Sequence, residues 1–274
     1  MPSFFSSTLP STEALMDRLR CANRFERSEQ VLLVTLLSVP AIIAQLASVL
    51  MHYIDMAMLG HLGSQEAAGV GLVSTTIWMF WGIGSAGITG FHVLAGQAIG
   101  ARDDKTVQSL MRQSLTVTFL WGTALAAVGL AIASDLPTWL GARDPVAGFA
   151  SEYFFIVIAS WPLVMVNFLE TGMLRVSGNM KIPSLLGVAM CVLDVVFNAL
   201  FIFPSRTVSV LGMDLAVPGL NLGVRGAAWA TVLATALVML ASCWFACVKS
   251  DHLSILKRPV SYTHLRAHET VLDL

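Results

Sequence analysis

The chain has 274 residues, of which 56% are hydrophobic and only 12% are charged, and its net charge is −1. Soluble proteins carry about 25% charged residues and disordered chains carry few apolar ones, so both classes are excluded and an integral membrane protein is predicted. The small net charge gives no sign of nucleic acid binding, and four cysteines without a C-x-x-C pair argue against a disulfide framework or a metal site.

Six apolar stretches are long enough for helices that cross a bilayer, which takes roughly 20 mostly apolar residues. Barrel strands would be about 10 residues long and would alternate, so we predict an all-α bundle of six transmembrane helices. Twelve Lys and Arg residues flank these stretches on the side of the N-terminus and three on the other side, which predicts a cytoplasmic N-terminus. The predicted helices are 31–56, 69–97, 107–133, 151–174, 182–204 and 225–248.

The segment ahead of the first predicted helix combines four arginines with apolar residues at helical spacing, namely Leu15, Leu19, Ala22 and Phe25. This pattern suits a short amphipathic helix that lies on the inner surface of the membrane. A solvated basic leader would carry the same residues, so both interpretations stay open.

The first predicted helix contains Pro40 and ends near Asp55. A proline inside a helix removes a backbone hydrogen bond and kinks the helix, as a static bend or as a hinge. A carboxylate at bilayer depth costs at least roughly 2.5–3.5 kcal/mol, and such residues usually face the bundle interior and carry an ion or a proton. The alternative for Asp55 is a hydrogen bond to a neighbouring helix without a transport role.

The fifth predicted helix places a second acid, Asp194, four residues before Asn198, so that both side chains project from one face. A carboxylate and an amide oxygen on one face make half of a site for a hard cation. A hydrogen bond between helices is the alternative interpretation of this pair.

Two further patterns receive a structural interpretation. Glu170 and Arg175, at the inner end of the fourth predicted helix, are expected to form an ion pair at the cytoplasmic edge. Alternating residues around Gly212, in the outer loop 204–221, predict a small β-hairpin.

No G-x-x-x-x-G-K-[ST] motif is present, so active transport by this chain would use an ion gradient rather than a P-loop ATPase.

Five stretches together resemble the MATE transporters, the multidrug and toxic compound extrusion family. They occur in the family's order over residues 31–248, and the pattern is most similar to the DNA-damage-inducible, DinF-like branch. In chain order they are Tyr53–Gly63 (YIDMAMLGHLG), Ala95–Arg102 (AGQAIGAR), Leu174–Pro183 (LRVSGNMKIP), Leu193–Asn198 (LDVVFN) and Leu222–Thr231 (LGVRGAAWAT).

The resemblance implies a transporter of two pseudo-symmetric six-helix lobes in the inner membrane of a bacterium, and no enzyme activity. In that family amphipathic or cationic small molecules leave the cell while sodium ions or protons enter, and no other cofactor is implied. Some relatives carry an Asn four residues before the helix 5 acid, where this chain has Met190. That departure leaves the choice between sodium and proton open.

The resemblance also implies the residues of the cation or proton site. The helix 1 acid of the family corresponds to Asp55 and its helix 5 acid to Asp194. The polar helper residue corresponds to Thr231, with Asn198 as a second candidate. Helix 1 is expected to bend at Pro40 when the acids bind a proton or a cation.

The expected organisation has four parts: a cytoplasmic N-terminal segment (1–30), a six-helix membrane lobe (31–248), a cytoplasmic linker (249–258) and a tail (259–274). The tail has no membrane pattern, unlike the rest of the chain, and resembles a recurrent non-native tail on truncated open reading frames from metagenomic assemblies. No internal repeat supplies a second lobe, so we expect a truncated N-lobe that lacks its C-terminal partner.

Three alternatives remain from the sequence. The chain acts as a homodimer in which each copy serves as one lobe, or it is a fragment that is inactive on its own. The third is an intramembrane aspartyl protease that uses two acids as an acid–base pair. Such enzymes carry Gly-x-Gly-Asp in a helix, whereas Asp194 follows Cys-Val-Leu, which makes this alternative remote.

Overall fold

The structure, a computed structural model, describes residues 27–210 and 213–249. Most of the predicted segments 1–30 and 249–258, and the whole tail 259–274, lie outside the described residues. The described elements are α1 (Arg27–Leu62), α2 (Ser64–Gly100), α3 (Asp104–Ile132), α4 (Leu136–Trp139), α5 (Val146–Ala159), α6 (Trp161–Val176), α7 (Lys181–Phe201), β1 (Pro204–Val210), β2 (Met213–Leu220), α8 (Gly223–Trp244) and a π-helical turn (Phe245–Lys249).

Within the described residues, five helices are long and apolar enough to cross a membrane: α1, α2, α3, α7 and α8. Helices α5 and α6 are long and apolar enough when taken together as one pair, bent by 50° at their junction, and they correspond to the fourth predicted segment. The six predicted membrane segments are thus confirmed, but the fourth is not the continuous helix 151–174 of the prediction. It begins earlier, at Val146, and breaks at Ser160.

The break in the fourth span follows from Pro162 in the first turn of α6. Proline has no backbone N–H, so it cannot continue the helical hydrogen bonding of α5. The Ser160 hydroxyl donates to the Val157 carbonyl at 2.7 Å and so satisfies one group at the end of α5. Helix α3 approaches this break closely, because a Cβ at Gly122 would lie only 2.8 Å from Cα of Pro162.

The core lies between α2, α3, α5 and α6, where Phe80 makes edge-to-face contacts with Phe154 and Trp161. Many large apolar side chains instead cover the outside of the bundle, as expected for a surface that faces lipid tails. They include Leu46, Trp78, Leu120, Leu185, Trp229 and Leu240, each between 47% and 69% exposed.

The predicted hairpin in the loop between α7 and α8 is confirmed by strands β1 and β2. They pair antiparallel, with Val208 opposite Leu215, while the predicted turn at Gly212 lies outside the described residues. The chain after β2 returns to the end of α7, where the backbone N–H of Leu222 donates to the Phe201 carbonyl at 2.9 Å. The hairpin therefore holds the start of α8 against the end of α7.

Candidate functional site

The structure brings the two predicted acids together through one amide group. Nδ2 of Asn198 donates to Oδ1 of Asp55 at 2.7 Å and to Oδ2 of Asp194 at 2.9 Å. Asp194 and Asn198 have no exposed surface, whereas Asp55 is half-buried. Three of the predicted site residues thus form a single bridged group, which we call the Asp–Asn–Asp bridge.

The bridge forms where α1 packs against α7 near the hairpin. Asp194 and Asn198 lie on one face of α7 because they are four residues apart. One turn beyond the bridge on each helix, Leu59 and Ile202 are buried in a shared apolar cluster with less than 2% of their surfaces exposed. This cluster sets the register that places Asp55 opposite Asn198.

The orientation of the Asn198 amide follows from its neighbours. Both hydrogens of its NH2 group are used by the two carboxyl oxygens, whereas the opposite orientation would set the amide oxygen against them. In consequence Oδ1 of Asn198 and Oδ1 of Asp194 are buried without a hydrogen-bond partner. Buried polar atoms are nearly always paired in proteins, and these two oxygens have the capacity to accept a hydrogen bond or to coordinate a cation.

Thr231, the predicted helper residue, lies beside Asp194 from α8. Its hydroxyl lies 3.2 Å from the Ala227 carbonyl and also interacts with the carboxyl of Asp194, so Thr231 contacts the bridge from α8. Sequence reasoning missed Tyr153 on α5, which interacts electrostatically with both acids. Tyr153 is the first residue of the apolar stretch that follows Glu152, and no spacing signal marks it as functional.

The charge of the bridge is not balanced by a strong base. Among the side chains that the structure describes, no Lys or Arg forms an ion pair with either acid, and the basic group that interacts with Asp194 is His52. Two adjacent carboxylates in a buried site repel each other and lose hydration. A proton or a cation would relieve this repulsion, and carboxyl, amide and hydroxyl oxygens are the ligands that a hard cation prefers.

Pro40, the predicted hinge, is not part of this group. It lies in the same helix α1, 15 residues before Asp55, which corresponds to about 22 Å along a helix. Its side chain is outside the described part of α1. The structure therefore places the hinge candidate and the bridge about four turns apart on one long helix.

The expected ion pair between Glu170 and Arg175 is wrong. Glu170 has no exposed surface and lies 2.7 Å from the Ser242 hydroxyl on α8, measured from Oε2 to Oγ. Arg175 is exposed. The five-residue spacing points the two side chains in different directions, because residues pair on a helix surface at spacings of three or four.

Comparison with known proteins decides the family. The family model MatE matches residues 40–200, which is more than half of the chain. The chain belongs to the MATE family. The matched range includes Pro40, both acids of the bridge and Asn198, and the family consists of transporters.

Two bacterial members of the MATE family illustrate the relationship. The chain is 31% identical over 164 residues to the probable multidrug resistance protein YoeA of Bacillus subtilis, which covers 60% of this chain and 31% of that protein. It is 26% identical over 219 residues to a probable multidrug resistance protein NorM of Neisseria meningitidis serogroup A, covering 77% of this chain and 46% of that protein.

The fold is that of one lobe of a MATE transporter. A MOP superfamily transporter from Pyrococcus furiosus superimposes with a TM-score of 0.72 at 23% identity, covering 92% of this chain and 50% of that chain. A MATE structure in complex with MaD3S gives a TM-score of 0.70 and is covered to 47%. This MATE chain spans about half the length of these structures, so its all-α bundle corresponds to one six-helix lobe of the twelve-helix fold.

Proposed function

We propose that this chain is the ion-binding lobe of an antiporter that exports amphipathic or cationic small molecules across the bacterial inner membrane, driven by H⁺ or Na⁺. The observation that carries the proposal is the Asp–Asn–Asp bridge. It combines two carboxyls, two buried oxygens without partners and no Lys or Arg in an ion pair among the described side chains.

The bridge couples ion binding to helix packing. Asp55 lies on α1, whereas Asp194 and Asn198 lie on α7, so a proton or cation at the bridge acts on both helices at once. A ligand shifts a conformational equilibrium only by its differential affinity for the two states. Binding at the bridge therefore favours the state that holds the ligand more tightly, and this shift accompanies bending of α1 at Pro40.

The export path requires a partner for this lobe. The substrate cavity of the proposed transporter lies between two lobes, and the second lobe is either a C-terminal six-helix lobe or a second copy of this chain. The N-terminus and the end of α8 are on the cytoplasmic side, as the distribution of basic residues predicts.

The geometry favours ion binding over intramembrane proteolysis. A proteolytic pair of acids shares one proton and acts on a water between the carboxyls. Here a third polar group, the amide of Asn198, is hydrogen-bonded to both carboxyls, and its oxygen adds a neutral ligand beside theirs. Such a set of carboxyl and amide oxygens is of the kind that a hard cation prefers.

The test measures ion binding by the purified chain rather than transport, because binding does not require the second lobe. Binding of ²²Na⁺ and proton uptake are measured for the unchanged chain and for Asp194→Asn, with the exposed Asp135→Asn as control. We expect the chain and the control to bind Na⁺ or to take up a proton that Asp194→Asn does not. Identical Na⁺ binding and identical proton uptake in all three proteins would overturn the proposal.

A further inference from the structure

A second buried carboxyl lies far from the Asp–Asn–Asp bridge. Glu170 on α6 has no exposed surface, and its Oε2 lies 2.7 Å from the Ser242 hydroxyl on α8. Its other oxygen, Oε1, is buried without a hydrogen-bond partner. Asn167, three residues earlier on α6, lies 3.4 Å from the same hydroxyl. The proposed transport function uses none of these three groups.

Whether Glu170 is protonated or ionised decides how the single hydroxyl hydrogen of Ser242 is used. A serine hydroxyl has one hydrogen to donate, and the Oγ atom of Ser242 lies 2.9 Å from the Met239 carbonyl as well as 2.7 Å from Glu170. If Glu170 were ionised, that hydrogen would go to the carboxylate and the contact with Met239 would be unused. If Glu170 is protonated, its own O–H donates to Oγ, and Ser242 donates to Met239.

The surroundings of Glu170 also favour the neutral form. The thiol of Cys243 on α8 is a hydrogen-bond partner of Glu170 but only a weak donor, and His92 on α2 faces the same part of α6 but contacts the Leu169 carbonyl at 3.1 Å instead. A buried carboxylate needs a charged partner or several hydrogen bonds. The described Lys and Arg side chains on α6 and on the adjacent helices α3, α7 and α8 are exposed: Lys105, Arg112, Arg175, Lys181 and Arg225.

We propose that Glu170 is a second proton-binding site of the lobe, held in its protonated form between α6 and α8 by Ser242. The site shares one face of α8 with the bridge, because Thr231 and Ser242 are eleven residues apart, or about three turns. That spacing corresponds to about 16 Å along the helix. The two sites are therefore at different depths of the bundle, and a proton at Glu170 is separate from one at the bridge.

Infrared spectroscopy of the purified chain tests this proposal independently of the proposed transport function. The background is the double variant Asp55→Asn with Asp194→Asn, which removes the carboxyls of the bridge. At neutral pH, adding Glu170→Gln is expected to remove a carbonyl stretching band of a protonated carboxyl that shifts in D2O. The matched control is Glu152→Gln, because Glu152 is paired with Arg225 and should lose only a carboxylate band.

The outcome that overturns the proposal is loss of a carboxylate band in Glu170→Gln, as in the control. If the Glu170→Gln protein does not fold, Ser242→Ala gives the answer, since Glu170 keeps its proton but loses the acceptor of its O–H. The protonated-carboxyl band should then move to higher frequency, and an unchanged band would contradict the site. Failure of Na⁺ binding at the bridge would leave this result unaffected, so the two proposals fail separately.

Discussion

Asn198 reaches Asp55 across 143 positions of sequence, and its amide nitrogen lies 2.7 Å from the carboxyl oxygen. The same nitrogen also donates to Asp194, one turn away on its own helix. One amide thus joins the second half of the lobe to the first at a buried point. The first two predictions below follow from this contact.

Replacing Asp194 by Asn should strongly reduce gradient-driven export by the complete transporter while the lobe stays folded. Asn keeps the size and hydrogen-bonding capacity of the side chain but removes the charge that a cation or proton balances. Coupling free energies between ligands are typically 1–3 kcal/mol, so we expect coupled efflux to fall about 5–150-fold. Ethidium efflux from cells that lack their own exporters measures this change. Unchanged efflux in Asp194→Asn would remove Asp194 from the mechanism, and Asp135→Asn serves as the control.

Replacing Asn198 by Leu should destabilise the lobe. The change removes both hydrogen bonds of the amide and leaves two adjacent carboxyls without a donor, and a buried polar group that loses its partner costs about 1–3 kcal/mol. We expect a smaller loss at acid pH, where a protonated carboxyl can donate the missing hydrogen bond to its neighbour. Thermal unfolding in detergent at two pH values measures both effects. Equal stability of the variant and the unchanged chain would show that the bridge contributes nothing to packing.

Replacing Pro40 by Ala tests the hinge. Alanine restores a backbone N–H in α1 and favours a straight helix, so the variant should fold and should bind ions at the bridge as before, about 22 Å away along the helix. Ethidium efflux should nevertheless fall if bending at Pro40 is part of the transport cycle. Normal efflux in Pro40→Ala would identify the kink as a static bend.

Replacing Gly122 by Ala should destabilise the lobe, because the new Cβ would lie 2.8 Å from the backbone of Pro162 at the break between α5 and α6. Overpacking of this kind typically costs about 1–3 kcal/mol. The matched control is Gly82→Ala on α2, where nothing lies within 4 Å of the new atom. That control should gain up to about 1 kcal/mol from the better helix propensity of alanine. Equal melting temperatures for the two variants would contradict the close packing at Gly122.

Replacing Asp103 by Ala should lower the melting temperature at neutral pH but not at strongly acid pH. Asp103 caps α3, where its carboxyl accepts from the Thr106 hydroxyl at 2.6 Å and from the Thr106 N–H at 3.1 Å. These bonds hold the pKa of Asp103 below its usual value. The stabilisation is therefore present above the unfolded-state pKa and is lost as the pH falls through the lower folded-state pKa. A constant difference between the two proteins over this range would contradict the cap.

Much of the candidate site was predictable from local spacing. The i to i+4 relation of Asp194 and Asn198 is a property of any helix, and the high cost of an acid at bilayer depth singles out Asp55 and Asp194. Two errors have local causes as well. The fourth apolar stretch is hydrophobic throughout, so its hydropathy gave no sign of the break at Ser160. Glu170 and Arg175 are close in sequence, but at a spacing of five residues their side chains point in different directions on a helix.

The sequence alone determined the class of the protein, because the length and spacing of apolar stretches are set by the bilayer and by helical geometry, which need no partner to be recognised. Only the tertiary structure decided which distant groups meet. The contacts of Asn198 with Asp55, Tyr153 with the two acids, and Ser242 with Glu170 depend on how helices are rotated and set in register against one another. Those rotations result from packing summed over many side chains, and no local pattern encodes them.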